Sequence, residues 1–131
     1  MSGSLALIKN SKEYWDFIRD LRNNKQVKQG FIQQDNITKK EHLQYMQKYG
    51  VNYYVCLCDN EPAGYVGIIN KDIRVATHPQ FQGYGIGTFM INEIIKIMPD
   101  SIAKIKLDNP ASIALFEKCG FKKKYYILEK D

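Results

Sequence analysis

A chain of 131 residues is long enough for one compact domain and too short for two ordinary ones. With 44% hydrophobic and 25% charged residues it has the composition of a globular chain, and no apolar run is long enough for a membrane-spanning helix. The formal charge of +5, from 19 Lys and Arg against 14 Asp and Glu, favours an anionic ligand but not nucleic acid, because the basic residues are scattered apart from Lys122 to Lys124.

The segment MSGSLALIKN has no basic stretch followed by a long apolar one, so it does not read as a secretion signal, and the expected compartment is the cytoplasm. Cys56, Cys58 and Cys119 are odd in number and lack the paired spacing of a zinc site, so no metal is expected. Cys56 and Cys58 lie two apart on an expected strand, which separates their Cα atoms by roughly 6.6 Å, near the upper limit for a disulfide. All three read as reduced, structural thiols.

In chain order, Leu5 to Ile8 reads as a first strand, and Ser11 as the cap of a helix running to about Arg22, with Trp15 and Ile18 on one side. Residues 23–37 are polar and irregular and read as a covering loop. Thr38 and Glu41 form a capping-box pattern that starts a second helix, with Leu43, Met46 and Gln47 near one face and Gly50 at its end. YYVCLC, at 53–58, is an apolar strand. Asp59 to Pro62 supply a turn and AGYVGII, at 63–69, returns as the antiparallel partner.

Asn70 and Lys71 turn the chain into DIRVAT, where Ile73, Val75 and Thr77 alternate with Asp72, Arg74 and Ala76 until Pro79 ends the ladder. From Gly85 onward Ile86, Phe89, Met90, Ile94, Ile97 and Met98 follow helical spacing, and Pro99 closes the helix. Ile102 to Leu107 reads as a further strand, Asn109 and Pro110 open a last helix over about 111–119, Gly120 follows it, and YYIL at 125–128 reads as a closing strand.

Between the DIRVAT strand and its helix lies QGYGIG, where Gly83, Gly85 and Gly87 remove side chains at a helix start whose backbone N–H groups point outward. Such a turn suits a phosphate. A dinucleotide fingerprint fails, because Thr88 and Met90 stand where its third glycine belongs, and no Gly-Lys pair follows for a nucleotide-triphosphate loop. The pattern present is Gln/Arg-x-x-Gly-x-Gly/Ala, met by Gln82, Gly85 and Gly87, after a Val-x-x-His-Pro strand end. Downstream, NPASIALFEKCGF runs from Asn109 to Phe121.

On these two ordered motifs, which cover somewhat under half of the chain, the sequence resembles the GNAT family of acetyl-coenzyme A dependent N-acetyltransferases. The resemblance implies a single domain over 1–131 with a mixed, mostly antiparallel α/β sheet, helices on both faces, and fourth and fifth strands that splay apart. It implies acetyl-coenzyme A as cofactor. The backbone of Ile73, Arg74 and Val75 would hold the pantetheine arm, while Gln82, Gly83, Tyr84, Gly85, Ile86, Gly87 and Thr88 would take the pyrophosphate. Asn109 and Phe116 would also border the cofactor.

The same resemblance implies direct attack of an amine on the thioester, with the oxyanion stabilised by an N–H near Val75. Many family members place a tyrosine as general acid where this chain has Phe116, which cannot donate a proton. A thiol of pKa about 8.5 still leaves tolerably as its anion, so transfer remains open. A catalytically weak acyl-coenzyme A binding module is the competing reading.

Asp72 and His42 are the candidate bases, with His78 and Asp108 weaker ones. Arg22, Asn23 and His42 match a loose pattern in family members that acetylate amino groups on nucleotide-linked sugars, a pattern shared with enzymes that acetylate protein N-termini. The expected partner is a small-molecule amine, with no nucleic acid and no membrane, in a monomer or homodimer.

Overall fold

Two hairpin turns fix the sheet. Asp59 and Asn60 (φ 50° and 69°) and Asn70 and Lys71 (φ 52° and 69°) place both central residues in the left-handed region, the geometry of two-residue turns whose twist matches antiparallel strands. In a computed structural model that describes residues 3–32 and 34–131, these turns join β2 (Tyr53–Cys58), β3 (Glu61–Ile69) and β4 (Asp72–Thr77). With β1 (Leu5–Lys9) on the outer side of β2, they form an antiparallel sheet in the order β1-β2-β3-β4. Met1 and Ser2, in the segment read for a secretion signal, and Gln33, in the polar stretch 23–37, lie outside the described residues.

The sheet buries both faces. Cys56, Cys58, Val66, Ile68 and Ile73 pack against α4 (Ile86–Ile97) and α5 (Pro110–Lys118) through Ile86, Met90, Ile91, Ile94 and Phe116. Tyr53, Val55, Tyr65 and Ala76 face the other way, onto Ile18 and Leu21 of α1 (Trp15–Asn23) and Met46 of α3 (Lys39–Tyr49). This is the period-two alternation of strands covered by helices on both sides. The register of β2 on β3 shifts between Cys56 and Leu57, and at Gly67 a Cβ would sit 2.6 Å from the Tyr53 ring, so only glycine lets the ring lie across that strand.

Local chemistry moves several sequence boundaries. Ser11 makes no side-chain cap; residues Lys12–Tyr14 form a 3-10 turn and α1 begins at Trp15. Inside the stretch read as irregular, the Asn24 side chain accepts from the N–H groups of Gln26 and Val27 and nucleates a short helix, α2 (Lys25–Lys28). The capping box of Thr38 and Glu41 forms as expected. The face of α3 differs, however: His42 and Met46, one turn apart, are buried, and Leu43 points outward at 46% exposure.

The two expected C-terminal strands do not form. Residues 102–107 meet β4 through one parallel bridge, Asp72 to Ile102, held by Ile73 N–H to Ile102 carbonyl (2.9 Å) and Ile102 N–H to Lys71 carbonyl (2.8 Å), with no ladder beyond it. Residues 122–131 are all exposed. A strand needs a hydrogen-bonding neighbour along its length, and among the described residues 102–107 has one only at Ile102 and 122–131 has none.

Candidate active site

The glycine turn is built by its own backbone. The Gln80 N–H donates to His78 Nδ1 at 3.1 Å, so this ring nitrogen holds the 3-10 turn Pro79–Phe81. Gly83 and Gly85 then take φ of +85° and +76°, and a Cβ at either would meet nothing within 4 Å. Their glycine requirement is therefore conformational. Gly87 differs, since its Cβ would lie 3.0 Å from Leu115, so it lets α4 approach α5.

At this turn the N–H groups of Gly83, Gly85, Ile86, Gly87 and Thr88 have no acceptor among the described residues; the first bond into the helix is Phe89 N–H to Gly85 carbonyl. They converge at the N-terminus of a helix of 12 residues, where the dipole adds positive potential. Beside them Thr77, Phe81, Gln82 and Leu115 line a cavity of about 180 Å³. That is below the usual size of a pocket enclosing a whole organic ligand, and it suits a diphosphate-sized segment whose remainder lies along the surface. A second cavity, of about 300 Å³, lies between Val51, Asn52, Tyr54, Ile68, Ile94, Ile97 and Met98, and the Asn52 amide in it donates to the Ile68 carbonyl at 2.9 Å.

From the turn, β4 runs back past Val75, Arg74 and Ile73 to Asp72. Because 102–107 is bridged to β4 only at Asp72 among the described residues, the side of the strand beyond Ile73 is open to added backbone hydrogen bonding. Asp72 lies at the closed end of this gap. Its Oδ2 accepts from Arg74 Nε at 3.2 Å, while Oδ1 is buried without a partner. Asp108 is exposed and pairs with Lys106 at 3.7 Å.

Asn109 caps α5 by accepting from the Ser112 N–H at 3.2 Å and donates to the Gly30 carbonyl at 3.5 Å, tying the α2–α3 connection to the start of α5. Phe116 is 5% exposed and meets Phe121 edge to face at 5.1 Å. It is a core residue.

Arg22, Asn23 and His42 form a separate group beneath the other face of the sheet. Asn23 is doubly bonded to the Ile37 backbone at 2.8 Å each way, stapling the end of α1 to the approach to α3. His42 is 3% exposed; its Nε2–H donates to the Trp15 carbonyl at 2.7 Å and its Nδ1 accepts from Arg22 Nη1 at 3.3 Å. Burial first, then the Arg22 charge, holds its pKa below the ordinary value.

The sequence reading missed the aromatic half of this cluster. The Arg22 guanidinium lies 4.5 Å above the Tyr45 ring, the Tyr45 and Tyr53 hydroxyls are 2.7 Å apart, and the Tyr53 and Tyr65 rings are 5.8 Å apart. Burial raises both the Tyr53 and Tyr65 phenol pKa values. The available signal was spacing, since Tyr45 lies three residues after His42 on α3 and Tyr53 and Tyr65 share one sheet face. Burial also pushes the Cys56 thiol up to about 11, consistent with an inert structural thiol.

Among the described residues no helix is long and apolar enough to cross a membrane. Comparison with solved structures finds the same fold in spermidine N-acetyltransferase from Vibrio cholerae, in complex with CoA and spermine: TM-score 0.81, 19% identity, over 96% of this chain and 85% of that one. An acetyltransferase of the GNAT family from Bacillus anthracis gives a TM-score of 0.76 at 16% identity, over 95% and 84% of the two chains. The ribosomal L7/L12 alpha-N-protein acetyltransferase in complex with coenzyme A gives 0.70 at 22% identity, over 88% and 78%. No curated protein matches the chain by sequence. The model of the acetyltransferase (GNAT) family matches residues 14–121, most of the chain. The chain therefore belongs to the GNAT family and is an acyltransferase with acetyl-coenzyme A as cosubstrate.

Proposed function

We propose that the chain transfers the acetyl group of acetyl-coenzyme A to a primary amine of a small molecule, with the Gly83–Thr88 turn holding the pyrophosphate. The observation that carries this reading is the set of unpaired N–H groups at Gly83, Gly85, Ile86, Gly87 and Thr88, converging on one cavity. The pantetheine arm lies along Ile73, Arg74 and Val75 in the open gap beside β4, with Asn109 at its far wall. The amine nitrogen forms the new C–N bond as the C–S bond breaks, and the thiolate takes a proton from solvent because Phe116 has none to give. Asp72, whose Oδ2 holds the Arg74 guanidinium, receives the ammonium proton by way of water.

For the acceptor, the net charge of +5 disfavours a polycation such as the spermine seen with the V. cholerae enzyme and favours an amine attached to an anionic group. An amino group on a nucleotide-linked sugar is such an acceptor. Arg22 supplies a guanidinium whose Nη1 and one face are already engaged, leaving Nη2 and Nε to meet a phosphate. The test is turnover of an amino-sugar nucleotide, the free amino sugar, spermidine and an N-terminal peptide side by side. Faster turnover of the nucleotide form is expected. Preference for spermidine or peptide overturns the acceptor, and cofactor binding with background transfer to all amines overturns the enzymatic reading in favour of a binding module.

A further inference from the structure

Arg22 and Arg74 stand at opposite ends of one run of aromatic rings. The Arg22 guanidinium lies 4.5 Å over the Tyr45 ring, the Tyr45 and Tyr53 hydroxyls meet at 2.7 Å, and the Tyr53 and Tyr65 rings are 5.8 Å apart. Tyr53 pairs with Gly67 across β2 and β3, and Gly67 pairs with Arg74 across β3 and β4. Directly opposed residues share a sheet face, so the Arg74 side chain stands on the tyrosine face although its backbone borders the open gap beside β4. Gly67 puts no side chain between them, and the Tyr53 ring lies over it.

The polar groups along this run are mostly hydrogen-bond donors. Two phenols joined by one hydrogen bond retain one O–H, and that of the Tyr45–Tyr53 pair has no acceptor among the described residues, although Tyr53 is 2% exposed. Arg22 keeps Nη2 and Nε after Nη1 goes to His42, and among the described residues no carboxylate pairs with it. Arg74 gives Nε to Asp72 Oδ2 at 3.2 Å and keeps both Nη groups on a side chain that is 45% exposed. Burial raises the Tyr65 phenol pKa while the Arg22 and Arg74 charges both oppose it, so one hydroxyl lies in the field of both guanidiniums. A crevice with donors on both sides and few acceptors matches a ligand made of acceptors.

We propose that Arg22 and Arg74 clamp a phosphate or diphosphate of the acceptor between them, across the tyrosine floor, and that Arg74 is the residue that sets the preference for an anionic acceptor. This rests on acetyl transfer to an anion-bearing amine as the function of the chain, and adds to it a second cation, on β4. Arg74 couples the two ends of the substrate: its Nε holds the Asp72 carboxylate while its Nη groups take the anion, which sets the anion beside the group that receives the ammonium proton. A lysine there has a single nitrogen and no fork with which to do both. A polyamine brings donors and charge of the wrong sign to the same place.

Steady-state rates with matched acceptors give one test. For the parent chain, kcat/KM for an amino-sugar nucleotide is expected to exceed that for the same free amino sugar by about 10-fold or more. Arg74→Gln, at an exposed position, is expected to raise KM for the nucleotide form by about 10- to 100-fold, the range for a hydrogen bond to a charged group, and KM for the free sugar by less than about twofold. Any fall in kcat through Asp72 affects both acceptors alike, so the ratio between them isolates the clamp. Arg74→Lys is expected to restore only part of the preference. Inorganic pyrophosphate, added to the chain saturated with coenzyme A so that the glycine turn is filled, gives a second test. It is expected to move the side-chain Nε–H resonances of both Arg22 and Arg74 and to bind about 10-fold more weakly to Arg74→Gln. Movement of neither resonance or of only one, or a nucleotide preference that survives Arg74→Gln, would overturn the clamp. If the nucleotide form is not preferred while pyrophosphate still moves both resonances, the sugar-nucleotide acceptor falls and the clamp stands.

Discussion

Arg22 Nη1 donates to His42 Nδ1 at 3.3 Å, and this contact sets the state of the imidazole. Because Nδ1 accepts and Nε2–H donates to the Trp15 carbonyl at 2.7 Å, the ring is the neutral tautomer with both nitrogens engaged. The geometry assigns His42 to holding α1 against α3, and leaves neither nitrogen to take a proton from a substrate.

A pH dependence follows. The His42 pKa is lowered in the fold by burial first, so below the unfolded value of about 6.5 the unfolded chain binds a proton that the folded chain refuses. The His42 contribution is therefore fully present above about pH 6.5 and is lost as pH falls toward the lower folded value. Urea midpoints at pH 7.5 and 5.5, compared between the parent chain and His42→Gln, isolate this contribution from the carboxylates. The parent is expected to lose more stability on acidification, and an equal loss in both would show that His42 is not held neutral.

Gly85→Glu is expected to abolish the rise in melting temperature that acetyl-coenzyme A gives, by repelling the diphosphate. Since φ is +76° there, backbone strain of roughly 1–2 kcal/mol accompanies any ordinary side chain. Gly85→Asn is the control, because asparagine tolerates this conformation and adds no charge. Retention of a substantial shift by Asn with its loss in Glu separates electrostatics from strain.

Asp72→Asn is expected to lower the transfer rate by about 10²-fold or more, the usual contribution of a general base, while leaving cofactor affinity within about twofold. The rate deficit should shrink at higher pH, where the amine arrives deprotonated. A variant with the parent's rate at neutral pH would remove Asp72 from the chemistry.

Phe116→Tyr is expected to keep the fold and at least the parent's rate, and Phe116→Ala to lose about 3–5 kcal/mol of stability as a buried aromatic truncated to a cavity. Denaturant titration beside initial rates checks both. A large loss of rate in the tyrosine variant with stability intact would give Phe116 a part in transfer.

What was legible in the sequence depended on how local its cause was. Gly83 and Gly85 announce their turn because positive φ is a property of a single residue, and the Thr38–Glu41 box forms within four residues. The role of His42 was not legible, because its two partners come from 20 and 27 residues away on another helix. The alternation in 102–107 was real, with Ala103 and Ile105 inward, but alternation describes a face and a strand also requires a neighbour. Leu43 was misplaced because His42 was counted as polar and left out of the buried stripe, although its hydrogen bonds let it be buried as fully as Met46.

The most direct measurement is an amide NMR titration comparing coenzyme A with pantetheine, which lacks the pyrophosphate. Coenzyme A is expected to move the N–H resonances of Gly83, Gly85, Ile86, Gly87 and Thr88 strongly downfield, as charge-assisted hydrogen bonds form, while pantetheine leaves them in place and perturbs Ile73 to Val75. Saturable binding of coenzyme A that leaves those five amides unmoved would contradict the account.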